Sequence, residues 1–213
     1  MYNTILFDLD GTISDPGIGI TNSVSYALEK FNIKVKDRTE LYKFIGPPLQ
    51  ESFAKFYNFN QEQCEKAVSY YREYFKKRGI YENVLYDGME QLLKTLHESG
   101  KKVILATSKP EIFAVDILKY FKIKQYFDYA AGATLDSTRN RKADVILYAL
   151  EQCEISDLSS VVMIGDREYD IYGAREVGID SIGVLYGYGD RTELQDAGAT
   201  RMVETVDEIM KWL

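Results

Sequence analysis

Asp8 and Asp10 follow a short apolar run, Thr4, Ile5, Leu6 and Phe7, and precede Gly11 and Thr12. A run this short, rich in β-branched and aromatic residues, reads as a buried strand that delivers both acids to its exit. In an open parallel sheet, ligands bind beyond the carboxyl ends of the strands. Burial and like charge both oppose ionisation of two such carboxylates, and a hard divalent cation such as Mg2+ would relieve both costs. A surface turn that merely reads Asp, Leu, Asp, Gly is the bland alternative.

Three later stretches carry related chemistry. Thr107, Ser108 and Lys109 follow an apolar segment at 102–106, with Pro110 in the first turn of a helix. Hydroxyls and free N–H groups at a helix start bind anions, although an ordinary N-cap uses the same residues. Gly165, Asp166 and Asp170 end another apolar segment, so that one acid can bind metal while the other braces a water, a lysine or the backbone; acids also cap helices for local reasons. Arg139, Arg141 and Lys142 put three cations in four positions of an acidic chain, where neutralising a bound anion or a carboxylate is a good use for them. Solvated surface charge accounts for Arg139 and Arg141 better than for Lys142, which starts an apolar-striped helix. Asp8, Asp10 and Asp166 around a metal, faced by Thr107 and Lys142, would suit the transfer of a phosphoryl group.

The elements that must position these residues follow from periodicity. After the first strand, turn residues at 14–17 lead into helical spacing at 18–31, a second helical segment from 38 that ends at Gly46, Pro47 and Pro48, a third near 49–57 and a fourth at 61–77. Residues 80–86 read as extended. Strands at 102–106, 129–132, 161–164, 181–185 and 202–203 then alternate with helices at 110–120, 142–151, 171–177 and from 206. Such alternation means a parallel sheet covered on both faces. The fold class is therefore α/β: a Rossmann-like parallel sheet core, 1–14 and 82–213, with an inserted small all-helical cap domain, 15–81. Both linkers fall beside the acidic strand exit, which suits a lid over the site.

The chain has 213 residues and a formal net charge of −7. That excess repels nucleic acid polymers and anionic membranes while permitting a local basic pocket for a small anion. Cys64 and Cys153 lack metal-ligand spacing and read as buried thiols, which fits a cytoplasmic protein. No basic leader and no membrane-length apolar run is visible. The 17 tyrosines read as packing residues with wet hydroxyls. Oligomeric state is not legible.

Asp8, Leu9, Asp10, Gly11 and Thr12, then Thr107 and Ser108, then Lys142, then Gly165, Asp166 and Asp170, together resemble the four motifs of the haloacid dehalogenase-like hydrolase superfamily. The resemblance spans the chain. Gly46, Pro47, Pro48 and Leu49, with Thr107 to Pro110, look most like its phosphoglycolate phosphatase branch. It implies a Mg2+-dependent phosphatase acting on a small phosphate ester (phosphoglycolate, a nucleoside monophosphate or a sugar phosphate) through an aspartyl-phosphate. Asp8 would be the nucleophile and Asp10 the acid and base. Thr107, Ser108 and Lys142 would hold the phosphate. The metal would sit on Asp8, Asp166 and the Asp10 backbone carbonyl, with Asp170 supporting. In the cap, Lys43, Phe44, Gly46 and Pro47 are the specificity candidates. A phosphomutase of the same superfamily and a phospho-accepting signalling domain are the alternatives. Arg167 would reach a substrate group or pair with a nearby acid.

Overall fold

The computed structural model describes residues 2–136 and 138–213. The first apolar run forms strand β1 (Thr4–Phe7), buried throughout. There follow β2 (Ser14–Asp15), helix α1 (Gly17–Glu29), a 3-10 segment (Arg38–Phe44), α2 (Leu49–Tyr57), α3 (Gln61–Tyr74), a π turn (Phe75–Gly79) and β3 (Val84–Leu85). The remainder alternates α4 (Met89–Glu98), β4 (Lys102–Pro110), α5 (Glu111–Tyr120), β5 (Tyr129–Ala133), α6 (Lys142–Gln152), β6 (Val161–Gly165), α7 (Glu168–Val177), β7 (Asp180–Val184), α8 (Arg191–Ala197), β8 (Arg201–Val203) and α9 (Val206–Ile209). Two compact units result: Met1–Asp15 with Leu85–Leu213, and Pro16–Val84.

The first unit is α/β. Its six strands run in the order β5-β4-β1-β6-β7-β8, every pairing parallel. The chain moves outward from β1 through β4 to β5 and then returns to β6 on the other side of β1. That reversal is the switch point at which sheets of this kind bind ligands. Phe7 pairs with both Leu105 and Ile164, which brings the exits of the three strands level.

Leu6, Ile104, Ala106 and Met163 pack on Val145, Ile146 and Ala149 of α6 and Ala174 of α7. The alternate residues Ile5, Phe7, Val103 and Leu105 are also fully buried, and α4 and α5 contact β4 from the sequence on either side of it. A strand covered on both faces has to be apolar throughout, which is why β1 shows no polar alternation. The close packing of α6 on α7 depends on Gly173, where an added Cβ would lie 2.7 Å from Lys142 Cγ and 2.9 Å from Lys142 Cβ.

The second unit is helical. Its core includes Leu28, Leu41, Phe44, Phe53, Val68 and Phe75, with the Phe44 and Phe53 rings 5.0 Å apart. A capping box opens α3: Asn60 accepts from the Gln63 N–H, and Gln63 accepts from the Asn60 N–H.

Several local expectations are corrected. The segment from Arg38 is a 3-10 helix, capped by Asp37 accepting from the Thr39 N–H; Gly46, Pro47 and Pro48 leave it no room to extend. Residues 80–86 are extended only at Val84–Leu85, because the π turn prolongs α3 as far as Gly79. Helix α8 was not signalled by apolar periodicity, being only seven residues long. Its caps were visible nonetheless: Asp190 accepts from the Glu193 N–H at 2.8 Å, and Gly198 ends the helix at φ +90°. Among the described residues, no helix is long and apolar enough to cross a membrane. Replacing Gly173 by Val is expected to lower stability by about 1–3 kcal/mol through overpacking between α6 and α7, read as a lower urea midpoint with an unchanged slope.

Candidate active site

Asp8 leaves β1 with its N–H donating to Ile164 O at 2.9 Å. The chain then folds back on itself, the N–H groups of Ile13 and Ser14 donating to Leu9 O at 2.9 and 3.1 Å. Gly11 allows this turn with φ +81°, and a Cβ there would fall 2.1 Å from Asp166 Oδ2. Only a residue without a side chain lets the β1 turn lie against the acid that leaves β6.

Lys142, in the first turn of α6, reaches across the exits of three strands. Its Nζ lies 2.8 Å from Asp8 Oδ1 and 2.7 Å from Asp170 Oδ1, and donates to Ala106 O at 3.0 Å. Both carboxylate contacts are ion pairs between buried groups. Burial opposes the charge on Lys142, but Asp170 and Asp8 outweigh it and raise its pKa, so the group is a permanent cation at neutral pH.

The carboxylates meet the opposite condition. Burial, then the charges of Asp170 and Asp8, push Asp166 well above the usual carboxylate range. Burial also lifts Asp170, to about 6, against the pull of Lys142. Two carboxylates about 4 Å apart repel by about 4 kcal/mol at an effective dielectric constant of about 20. Both oxygens of Asp166 are oriented nevertheless, Oδ1 accepting from Thr12 Oγ1 at 3.3 Å and Oδ2 from the Tyr188 N–H at 2.8 Å. Asp170 Oδ2 accepts from the Arg167 N–H at 3.1 Å.

Asp8, Asp166 and Asp170 each offer an oxygen within 4.8 Å of the others, all buried. Three hard oxygen donors with an excess of negative charge fit a divalent cation. The Asp10 carboxylate turns elsewhere: its Oδ2 lies 2.7 Å from Lys109 Nζ, and its Oδ1 is buried without a hydrogen bond. Asp10 is not one of the three acids whose oxygens converge. Thr107 is buried within β4, its Oγ1 accepting from the Lys109 N–H at 3.2 Å, and Ser108 is half-buried beside it.

The structure thus brings Asp8, Lys142, Asp166 and Asp170 into one cluster. Three arginines outside it are engaged in ion pairs. Arg139 is no solvated charge: it pairs with Glu111 at 3.1 Å and lies over the Tyr148 ring at 3.6 Å. Arg141 pairs with Glu176, and Arg167 pairs with Glu193 at 2.8 Å. In the helical unit Phe44 is core, while Lys43 is exposed and lies over the Phe56 ring at 4.6 Å. Gly46 and Pro47 are half-buried. Lys109, Thr12 and Tyr188 went unassigned in the sequence. For Lys109 the one signal was its place two positions after Thr107 at a strand exit.

A haloacid dehalogenase-like hydrolase family model matches residues 5–184. A 5'-nucleotidase of Pseudomonas aeruginosa is 42% identical over 194 residues, covering 91% of this chain and 87% of that protein. Tyrosine-protein kinase PtkA of Mycobacterium tuberculosis is 37% identical over 212 residues, covering 98% of this chain and 72% of that protein. The crystal structure of a predicted phosphatase from Clostridium acetobutylicum superposes with a TM-score of 0.97 at 49% identity, covering 100% of this chain and 98% of that one. With its parallel sheet and acidic switch point, the chain belongs to the haloacid dehalogenase-like hydrolase family. The aspartate cluster and the family together define a phosphatase acting on a small phosphorylated substrate.

Burial raises Asp166 and Asp170 above the values they have in the unfolded chain, so without a bound cation the stability of the fold falls as pH rises above the ordinary carboxylate range, the Asp170 part being lost through about 6. A divalent cation held by the cluster would compete with protons for the same oxygens. The rise in unfolding temperature on adding a divalent cation to chelator-treated protein is therefore expected to be larger at pH 7.5 than at pH 5. An equal or larger rise at pH 5 would contradict the assignment.

Proposed function

We propose that the protein hydrolyses a phosphate monoester through a covalent phosphoenzyme on Asp8. The ion pair of Lys142 with Asp8 carries this reading, because it presents a buried, oriented carboxylate beside a permanent cation at the sheet's switch point. An Asp8 oxygen bonds to phosphorus as the ester P–O bond breaks, and Asp10 gives a proton to the departing oxygen. Asp10 then takes a proton from the water that attacks the aspartyl-phosphate, which frees inorganic phosphate and restores Asp8. Thr107, Ser108 and Lys142 hold the phosphoryl oxygens. Fixing the reacting groups in line is worth up to about 7–11 kcal/mol, and acid–base assistance a further 10²–10⁴-fold or so.

Asp8, Asp166 and the Asp10 main-chain carbonyl, with Asp170 in support, are the residues we assign to Mg2+. Bound there, Mg2+ would neutralise charge between the Asp8 carboxylate and the phosphate. Among phosphoglycolate, nucleoside monophosphates and sugar phosphates, the likeness to a protein named 5'-nucleotidase favours a nucleoside monophosphate. Lys43, Gly46 and Pro47 of the helical unit are the proposed specificity positions. A cytoplasmic location agrees with the free thiols of Cys64 and Cys153.

The likeness to PtkA supports a second reading, in which the phosphoryl group passes to a protein acceptor rather than to water. The two separate by product. On the hydrolase reading, Mg2+ and a panel of phosphorylated metabolites release inorganic phosphate; phosphotransfer from ATP to tyrosine with no release of phosphate from any ester would favour the alternative. Asp8→Asn is expected to abolish phosphate release without unfolding the protein, and Asp10→Asn to reduce it about 10²–10⁴-fold. Substantial p-nitrophenyl phosphate hydrolysis by purified Asp8→Asn would remove Asp8 as the nucleophile.

A further inference from the structure

Lys109 follows Thr107 and Ser108 in the sequence, yet the side chain it holds is that of Asp10, at the exit of another strand. From β4, two residues past Thr107, its ammonium lies 2.7 Å from Asp10 Oδ2. The two side chains are 5% and 11% exposed, so water screens their attraction weakly and removal of either would strand the other charge. The remaining oxygen of the same carboxylate, Asp10 Oδ1, is buried and makes no hydrogen bond. Lys142 serves Asp8 and Asp170, and thus the two ammonium groups have divided the carboxylates between them. The backbone keeps Lys109 in place: its N–H donates to Thr107 Oγ1 at 3.2 Å, and the pairing of β4 with β5 shifts register between Thr107 and Pro110.

Resting on the acid and base role assigned to Asp10, we propose that Lys109 is a positioning residue, which occupies Asp10 Oδ2 and so reserves Oδ1 as the oxygen that meets the leaving group. A carboxyl group free to turn about its Cβ–Cγ bond would offer either oxygen in a range of directions. Proton transfer in the transition state needs one oxygen within hydrogen-bond reach of the departing atom, and small misplacement is costly. In this assignment Lys109 acts through Asp10 and touches no part of the substrate.

The consequence is a dependence on the leaving group. p-Nitrophenyl phosphate expels a phenolate stable enough to leave without a proton, whereas an alkyl phosphate expels an oxygen that must be protonated. The experiment compares kcat/KM, which reports steps through departure of the first product, for p-nitrophenyl phosphate and for the fastest-cleaved alkyl ester among phosphoglycolate, adenosine 5'-monophosphate and glucose 6-phosphate. Lys109→Met is expected to lower the alkyl value about 10²-fold and the aryl value less than about tenfold, and Lys109→Arg to recover part of the alkyl loss. The ratio of the two losses is the readout, because a misfolded fraction scales both substrates alike. Should Lys109→Met fail to fold, Lys109→Gln is read by the same ratio. Equal losses on the two esters, in protein whose unsubstituted form cleaves both, would overturn the positioning role alone. Failure of the unsubstituted protein to cleave any ester would overturn the functional reading and this proposal with it.

Discussion

Four buried carboxylates, on Asp8, Asp10, Asp166 and Asp170, share two ammonium groups, on Lys109 and Lys142. Two negative charges are left uncompensated in a region that water barely reaches. Solvent cannot relieve such an imbalance, and burial, with neighbouring carboxylates adding to it, raises Asp10, Asp166 and Asp170 above the ordinary carboxylate range. A divalent cation matches the deficit in both charge and donor type. The same imbalance that makes the site expensive to fold suits it to hold such an ion.

The sheet exists around this constraint. β1 is central and its neighbours come from well along the chain, so the acids at 8 and 166 and the cation at 142 meet only when three parallel strands and α6 have formed. Parallel pairing demands long crossovers, and the apolar faces those crossovers bury hold the strand exits level. Packing energy spent on Leu6, Ile104 and Met163 is thereby converted into the alignment of polar groups one or two residues further on.

Much of this was legible in the sequence because chemistry and periodicity coincide there. An apolar run ending in Asp, a second one ending in Gly and Asp, and a lysine opening an apolar-striped helix each mark a strand exit or a helix start. Less was legible where a residue's role depends on a partner distant in sequence. Arg139 looked like surface charge because its partners, Glu111 and Tyr148, lie on other elements. Lys109 sat in view beside Thr107, but nothing local says that its ammonium returns to Asp10. Phe44 looked like a specificity residue from its place next to Gly46 and Pro47, whereas the aromatic core of the helical unit claims it. Helix α8 shows a different failure: seven residues are too few to display a period, and only the capping residues give it away.

The hydrogen bond that Asp166 receives from Tyr188 comes from the main chain. An amide N–H is supplied by every amino acid except proline, so this support does not depend on which side chain the loop carries at that position. The neighbouring positions have no such latitude: a Cβ at Gly187 would lie 2.4 Å from Asp166 Cβ and one at Gly189 2.0 Å from Asp166 O, so the acid keeps its aim through bare backbone on both sides of Tyr188.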